Sequence, residues 1–250
     1  MGGSRGFAGA TVLAMVASAT LGGLLFLGVG STPTTGSVSG RVLLTGGTVT
    51  FSGTPPAPMA IDMSADAYCT EQHESPVMDS PVRVGSGSGL AGVLIHVSNA
   101  TAGSGPTSEG SLLDQVGCIY TPGMVVVRPG ETVVIRNSDQ TLHNVRVSPT
   151  INRGFNLGQP LRGIESRREF DEPEVGIPVR CDVHGWMSAT IHVIDHGFHA
   201  MSDDNGAFEL PDLAPGNWTV EAWHPTLGTS TQTVTVAAGT ETTLSFEFSG

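Results

Sequence analysis

The chain has 250 residues, enough for one large domain or two small ones, each with its own hydrophobic core. Hydrophobic residues make up 39% and charged residues 14%, which excludes a disordered tail, and 34 Gly with 16 Pro favour short strands over long helices. The net charge of -12 excludes nucleic acid as a partner, because phosphate binding needs a basic face. All 11 basic residues are arginine, so lysine Schiff-base and P-loop chemistry is excluded too.

The first 30 residues carry the signature of export. Residues 6–30 contain no charged side chain, and Arg5 precedes them. Such a run predicts one hydrophobic helix of about 20 residues that directs the rest of the chain out of the cytoplasm. Residues 1–30 are therefore either a signal peptide or an uncleaved membrane anchor. We expect an exported protein, periplasmic or extracellular, either free or attached to the inner membrane through residues 6–30.

Three cysteines in an exported chain predict one disulfide and one free thiol. Cys69 lies in a polar loop and Cys118 at the start of a predicted strand, whereas Cys181 stands among His and Met residues. The predicted disulfide is therefore Cys69 with Cys118. Cys181 remains available as a metal ligand.

Most of the remaining chain reads as short strands separated by Gly and Pro turns. The fold class is therefore all-β, with sandwich architecture. The predicted strands cover residues 38–44, 90–97, 124–127, 132–136, 144–147, 177–183, 190–194, 231–236 and 242–248, with two hairpin-like strands at 202–210 and 213–220. Composition and charge divide the chain into residues 31–104 (linker and N-terminal strands), 105–196 (a first domain) and 197–250 (an acidic second domain without arginine).

One group of residues has the composition and spacing of a metal site. Residues 181–187 read CDVHGWM, so Cys181, His184 and Met187 fall within one loop, and His143 adds a second imidazole from a distant strand. Two His, one Cys and a weak axial Met are the diagnostic ligands of a blue-copper electron-transfer site. The sequence predicts one copper ion per chain, cycling between Cu(I) and Cu(II). A tetrahedral zinc site is the alternative. In place of a thioether, however, zinc normally takes a harder ligand or an additional Cys.

The segment from Asn137 to Val145, followed by the C-x2-H-x2-M loop, resembles the copper site of cupredoxins and has the short ligand loop of amicyanin-like members. The resemblance implies a Greek-key sandwich in which His143, Cys181, His184 and Met187 bind copper. It also implies that Asn144 ties the two ligand segments together. One-electron transfer would then proceed through an exposed edge of His184.

A second resemblance concerns the C-terminal region. Residues 203–208 (DDNGAF), 213–218 (LAPGNW) and the pair Trp223-His224 are similar to carboxypeptidase regulatory-like domains, which implies a smaller transthyretin-like β-sandwich. Two layouts remain open. In one the copper domain is inserted into this sandwich, and in the other residues 36–196 form an enlarged cupredoxin. The pairing partners of residues 38–44 distinguish the two.

Several residues have ordinary alternatives to a functional role. His192, His196, His199 and His224 offer ligands for a second metal, but we expect them to make ordinary hydrogen bonds at the surface or domain junction. Trp186 is either an apolar docking patch beside the copper or an aromatic that fills the core.

Three functions follow from these residues. The first is an exported electron carrier, not an enzyme, that serves a redox partner protein of unknown identity. The second is a copper carrier or storage protein with the same ligands. The third is a structural or carbohydrate-binding sandwich with an incidental metal site.

Overall fold

The computed structural model describes residues 34–45, 58–105 and 111–249, so the predicted N-terminal helix lies outside the described residues. Within them the chain forms twenty strands, the short helix α1 (Ala67–Glu71) and a 3-10 turn at Ser86–Ser88. In this part of the chain no helix has the length and apolar character needed to cross a membrane. The all-β prediction is confirmed.

The strands fall into three groups along the chain. The first comprises β1 (Gly36–Thr45), β2 (Met59–Ala60), β3 (Met78–Asp79), β4 (Arg83–Val84), β5 (Leu90–Ala91) and β6 (Leu94–Val97). The second comprises β7 (Ser111–Val116), β8 (Ile119–Thr121), β9 (Met124–Val127), β10 (Val133–Asn137), β11 (His143–Val147), β12 (Phe155–Gln159), β13 (Glu165–Arg168), β14 (Glu174–Arg180) and β15 (Ser188–Val193). The third comprises β16 (His199–Met201), β17 (Ala207–Leu213), β18 (Gly216–His224), β19 (Gly228–Val236) and β20 (Glu241–Ser249).

Four predicted strands differ clearly from the observed ones. The two predicted at 202–210 and 213–220 lie further along the chain, as β17 (Ala207–Leu213) and β18 (Gly216–His224). The predicted strand at 90–97 is interrupted at Gly92, whose φ of 71° is a left-handed conformation that breaks an extended strand. The predicted strand at 177–183 ends earlier, because β14 stops at Arg180. The ligand loop therefore starts at Cys181 itself.

Strands β7 to β15 form the inner sandwich. One sheet has the order β13-β10-β7-β8 and the other β12-β11-β14-β15-β9. Alternate side chains of each strand point inward, as in β10, where Val133, Ile135 and Asn137 are buried between half-buried neighbours. The inward residues of both sheets, including Leu113 and Val179, share one core. This packing fixes the strand ends at which His143 and Cys181 lie.

The outer sandwich is built from β1, β6 and β16 to β20, with sheet orders β17-β1-β20 and β16-β6-β18-β19. β1 runs antiparallel to β17 and parallel to β20, with Val38 opposite Leu210 and Thr242. Strands from before and after the inner sandwich thus share both sheets. Their apolar faces meet in a second core that contains Val38 and Phe246.

Residues 58–84, which the sequence analysis assigned to a linker, form a folded segment that we call the cover. It contains β2, β3, β4 and α1, and the Asp66 side chain caps α1 by accepting a hydrogen bond from the Tyr68 backbone N–H. The expected disulfide is present and joins Cys69 of α1 to Cys118, in the turn between β7 and β8. The cover is thereby fastened to the inner sandwich.

Candidate metal centre

Three predicted ligands converge at one end of the inner sandwich. His143 is the first residue of β11, Cys181 directly follows β14, and His184 lies three residues further along the same loop. One donor atom from each lies within 4.8 Å of the other two. The two imidazole Nδ1 atoms are 2.9 Å apart, and the Cys181 Sγ lies 3.9 Å from the Nδ1 of His184.

The loop that carries Cys181 and His184 is held closed by its own backbone. The Met187 N–H donates to the His184 carbonyl at 2.9 Å, and the Cys181 N–H donates to the Met187 carbonyl at 3.3 Å. The His184 N–H points back at the thiol, 3.3 Å from Sγ. Asn144 bridges the two ligand segments, since its side chain accepts from the Asp182 N–H and donates to the Asp182 carboxylate. Protein groups alone thus hold the loop in this conformation.

Both imidazoles face a carboxylate with their other nitrogen. The His143 Nε2 lies 2.8 Å from Asp139 Oδ2, and the His184 Nε2 lies 3.1 Å from Asp66 Oδ2. A carboxylate accepts hydrogen bonds, so each Nε2 carries the proton and each Nδ1 presents a lone pair. Two lone pairs facing each other at 2.9 Å repel unless a cation or a proton lies between them.

Asp139 is the most heavily hydrogen-bonded group at the centre. Its carboxylate is 1% exposed and accepts from the backbone N–H groups of Gly117 and Cys118 at 2.7 and 2.8 Å, as well as from His143. Burial alone would raise the pKa of this carboxyl, but the hydrogen bonds from His143, Cys118 and Gly117 outweigh it and lower the pKa. Asp139 therefore stays ionised and links the disulfide turn to a ligand.

The surroundings of the three ligands shift their pKa values in different directions. Burial favours the neutral thiol of Cys181, yet the neighbouring His143 imidazole and hydrogen bonds from nearby backbone N–H groups lower its pKa below the ordinary value. Burial likewise opposes charge on His143, but Asp139 raises its pKa. Burial lowers the pKa of His184 and keeps that imidazole neutral. The thiolate is the form that coordinates metal.

Met187 and Trp186 complete the loop. Met187 is buried and belongs to the core of the inner sandwich, and its backbone makes the two loop-closing hydrogen bonds. The Trp186 ring is half-buried and packs against the His184 ring at a centroid distance of 5.1 Å. Its indole N–H donates to the Cys118 carbonyl at 3.0 Å. Trp186 thus contacts both a ligand and the disulfide turn.

The expectation of an exposed His184 edge is wrong. His184 is only 2% exposed, because the cover lies over it: Asp66 hydrogen-bonds its Nε2, and Cys69 Sγ lies 3.6 Å from the same atom. The sequence analysis missed this role of Asp66, as well as that of Asp139. Both stand near predicted site residues, three before Cys69 and four before His143, but only the folded disulfide brings Asp66 to the site.

Three of the other histidines accept backbone hydrogen bonds. His192 accepts from the Gly176 N–H, His196 from Phe198 and His224 from Thr226. His199 pairs with His96 across β16 and β6. Among the described residues, the groups of three ligands with donor atoms within 4.8 Å contain none of these histidines.

The donor set fits a soft or borderline metal ion. Metal–nitrogen bonds near 2.0 Å and metal–sulfur bonds near 2.3 Å can span the observed Nδ1–Nδ1 and Sγ–Nδ1 separations. Imidazole and thiolate suit copper, and the burial of all three side chains keeps water away. The opposed Nδ1 lone pairs provide the position that a cation would fill.

Comparisons with known proteins cover two parts of the chain. Residues 186–249 match the carboxypeptidase regulatory-like domain family. No curated protein sequence matches the chain.

Solved cupredoxin structures are similar to part of the fold. Amicyanin from Paracoccus versutus is 20% identical over 40% of this chain and 97% of its own, with a TM-score of 0.30. A purple cupredoxin from Nitrosopumilus maritimus is 22% identical over 34% of this chain and 100% of its own, with a TM-score of 0.29. A copper-containing nitrite reductase from Thermus scotoductus SA-01 is 20% identical over 38% of this chain and 25% of its own, with a TM-score of 0.30. This chain therefore spans a quarter of the length of that enzyme.

Proposed function

We propose that the chain is an exported blue-copper protein that carries single electrons through one copper ion held by His143, Cys181, His184 and Met187. The observation that carries the proposal is the convergence of two Nδ1 atoms and one Sγ from two distant stretches of chain. Bound copper would supply a one-electron couple between Cu(I) and Cu(II).

The chain's own residues prepare this site. Asp139 and Asp66 hold the Nε2 protons of the two imidazoles, so both Nδ1 atoms face the metal position. Hydrogen bonds to the Cys181 sulfur favour the thiolate. Asn144 holds the two ligand segments in one arrangement, which keeps the geometry similar in both oxidation states.

The electron route in this proposal passes through Trp186. The His184 edge is covered, whereas the half-buried Trp186 ring packs against His184 at a tilt and reaches the surface. The redox partner would dock on this aromatic side chain. This assigns to Trp186 the docking role rather than the core-filling one.

The proposal includes neither an enzymatic reaction nor a cytoplasmic location. A metal with four protein ligands has no open position for a substrate, in contrast to catalytic sites, which keep one. Export is supported by the Cys69–Cys118 disulfide, because such bonds persist in oxidising compartments.

The experiment is the visible spectrum of copper-loaded protein and its variants. Wild type is expected to show the intense thiolate-to-Cu(II) absorption, and Cys181→Ser to lose it. Met187→Gln should keep the colour and lower the reduction potential, because an axial ligand tunes the site rather than builds it. Val183→Ser, at a 48% exposed position of the same loop, is the matched control and should leave the spectrum unchanged. Colour that persists in Cys181→Ser contradicts the proposal.

A further inference from the structure

All four proposed ligands are closed off from solvent. Cys181 is 3% exposed, Met187 1% and His143 fully buried, and the cover and disulfide lie over His184. A metal ion that reaches the site of the folded protein must therefore pass between side chains. The direct path beside the His184 edge is blocked by the carboxylate of Asp66 and the sulfur of Cys69.

A cleft of about 650 Å³ reaches the site from another side. It opens between the cover, the inner sandwich and the outer sandwich, and Trp186 and Met187 form part of its wall. Neither imidazole nor the Cys181 thiol lines it. Among the four proposed ligands, Met187 is thus the one shared by the cleft and the metal centre.

Methionine is concentrated around this cleft. The described part of the chain contains six methionines, and four of them line it: Met78, Met124, Met187 and Met201. They come from three separate parts of the fold, since Met78 lies on the cover, Met124 on the inner sandwich and Met201 on the outer sandwich. Met78 is 50% exposed and Met201 37%, so these two side chains meet solvent at the mouth.

The thioether of methionine determines which metal ion this cleft favours. Its sulfur is soft, uncharged and not protonated near neutral pH, so it binds Cu(I) and competes poorly for Ca²⁺ or Mg²⁺, which prefer oxygen. Individual thioether contacts are weak. Several of them on one cleft allow an ion to bind and leave again.

We propose that this methionine-lined cleft is a loading site for Cu(I), which passes from the thioethers at the mouth to Met187 and then to Cys181 and the two imidazoles. The inference rests on the proposed function, because it assigns a route to the same copper centre. No electron moves in this ligand exchange. When the metal binds Cys181, the thiol proton leaves to solvent and the thiolate–copper bond replaces it.

The first test detects the ion in the cleft without the copper centre. The full-length chain with Cys181→Ser and 13C-labelled methionine methyl groups is titrated with Ag(I), a redox-inactive analogue of Cu(I), and followed by NMR. We expect the methyl signals of Met78, Met124 and Met201 to shift. Met59, which is 71% exposed but does not line the cleft, is the internal control and should stay unchanged. Unshifted cleft signals, or an equal shift of Met59, overturn the inference.

The second test measures the loading rate. Met78→Leu/Met201→Leu conserves side-chain volume and removes both mouth thioethers, and Met59→Leu is the matched control. Transfer of Cu(I) from a soluble chelator should slow by about tenfold in the double variant, equivalent to about 1.4 kcal/mol in the loading barrier. The final copper content should not change. Loading as fast as in Met59→Leu overturns the inference.

The two tests separate this inference from the proposed function. Silver-dependent shifts in the cleft, together with a wild type that stays colourless after its copper has been oxidised to Cu(II), support the cleft and contradict the electron carrier. Blue copper without shifts contradicts the cleft alone.

Discussion

Replacing Asp139 by asparagine tests whether the buried carboxylate holds the metal centre together. One carboxylate oxygen accepts from the Gly117 N–H, and the other accepts from the Cys118 N–H and from His143. An asparagine offers one acceptor oxygen and an NH₂ group. In either orientation of the amide, at least one of these donors then faces another donor.

The expected loss of stability in Asp139→Asn follows from the burial of this side chain. A buried donor without a partner costs about 1–3 kcal/mol, and hydrogen bonds to a charged acceptor are stronger than those to an amide. We expect Asp139→Asn to lower the free energy of unfolding by roughly 2–4 kcal/mol. The assay is urea unfolding of the metal-free protein. Asp114→Asn is the matched control, since Asp114 accepts one side-chain hydrogen bond, from Ser138, and should lose less than about 1 kcal/mol. Equal losses in the two variants refute the reasoning.

Three further predictions concern acid stability, the disulfide and the cover. Burial would raise the pKa of Glu174, but backbone and side-chain hydrogen bonds from Asn152 and Thr150 outweigh it and lower the pKa from 4.5 to about 2. About 3 kcal/mol of stability that is present above pH 4.5 is therefore lost towards pH 2. Glu174→Gln should flatten this loss, and an unchanged pH profile of unfolding contradicts the prediction. Cys69→Ser/Cys118→Ser removes a disulfide with a sequence separation of 49 and should lower the free energy of unfolding by about 4 kcal/mol, measured by thermal or urea unfolding. A loss below about 1 kcal/mol contradicts the prediction. Asp66→Asn weakens the hydrogen bond to His184 and should lower the copper affinity by about 10–100-fold, measured by chelator competition. The exposed Asp62→Asn is the control and should keep the wild-type affinity. Equal copper affinities of the two variants contradict the role of Asp66.

The residue types and spacings of the candidate metal centre can be read from the sequence, because most of its side chains lie close together in the chain. Cys181, His184 and Met187 stand in one loop, and the strands on either side show the period-two alternation of a sandwich. His143 requires a long-range contact, yet it also begins a recognisable strand. The disulfide partners follow from the setting of Cys181 among other soft ligands.

The cover was not predictable in the same way. Its strands are two residues long, which is too short for any periodicity, and its helix spans five residues. The position of Asp66 over His184 depends on the disulfide and on the turn that carries Cys118. Sequence patterning reports which face of a strand is buried, but not which loop folds over a strand end. The exposed His184 edge is what the resemblance to cupredoxins implies, and nothing in the sequence pattern indicates that the cover buries it.

The sharing of sheets between distant strands is also a tertiary property. Val38 alternates with polar neighbours as any half-buried strand residue does, and nothing in β1 alone specifies β17 and β20 as partners. The pairing of β1 with β20 depends on matching apolar faces across a separation of about 200 residues.

Anomalous X-ray diffraction from a copper-loaded crystal, recorded on both sides of the copper absorption edge, tests the central claim most directly. The account predicts one strong anomalous peak per chain, within bonding distance of the Nδ1 atoms of His143 and His184 and of the Cys181 sulfur. A fully loaded crystal with its copper peak elsewhere, and with those three atoms unligated, would contradict it.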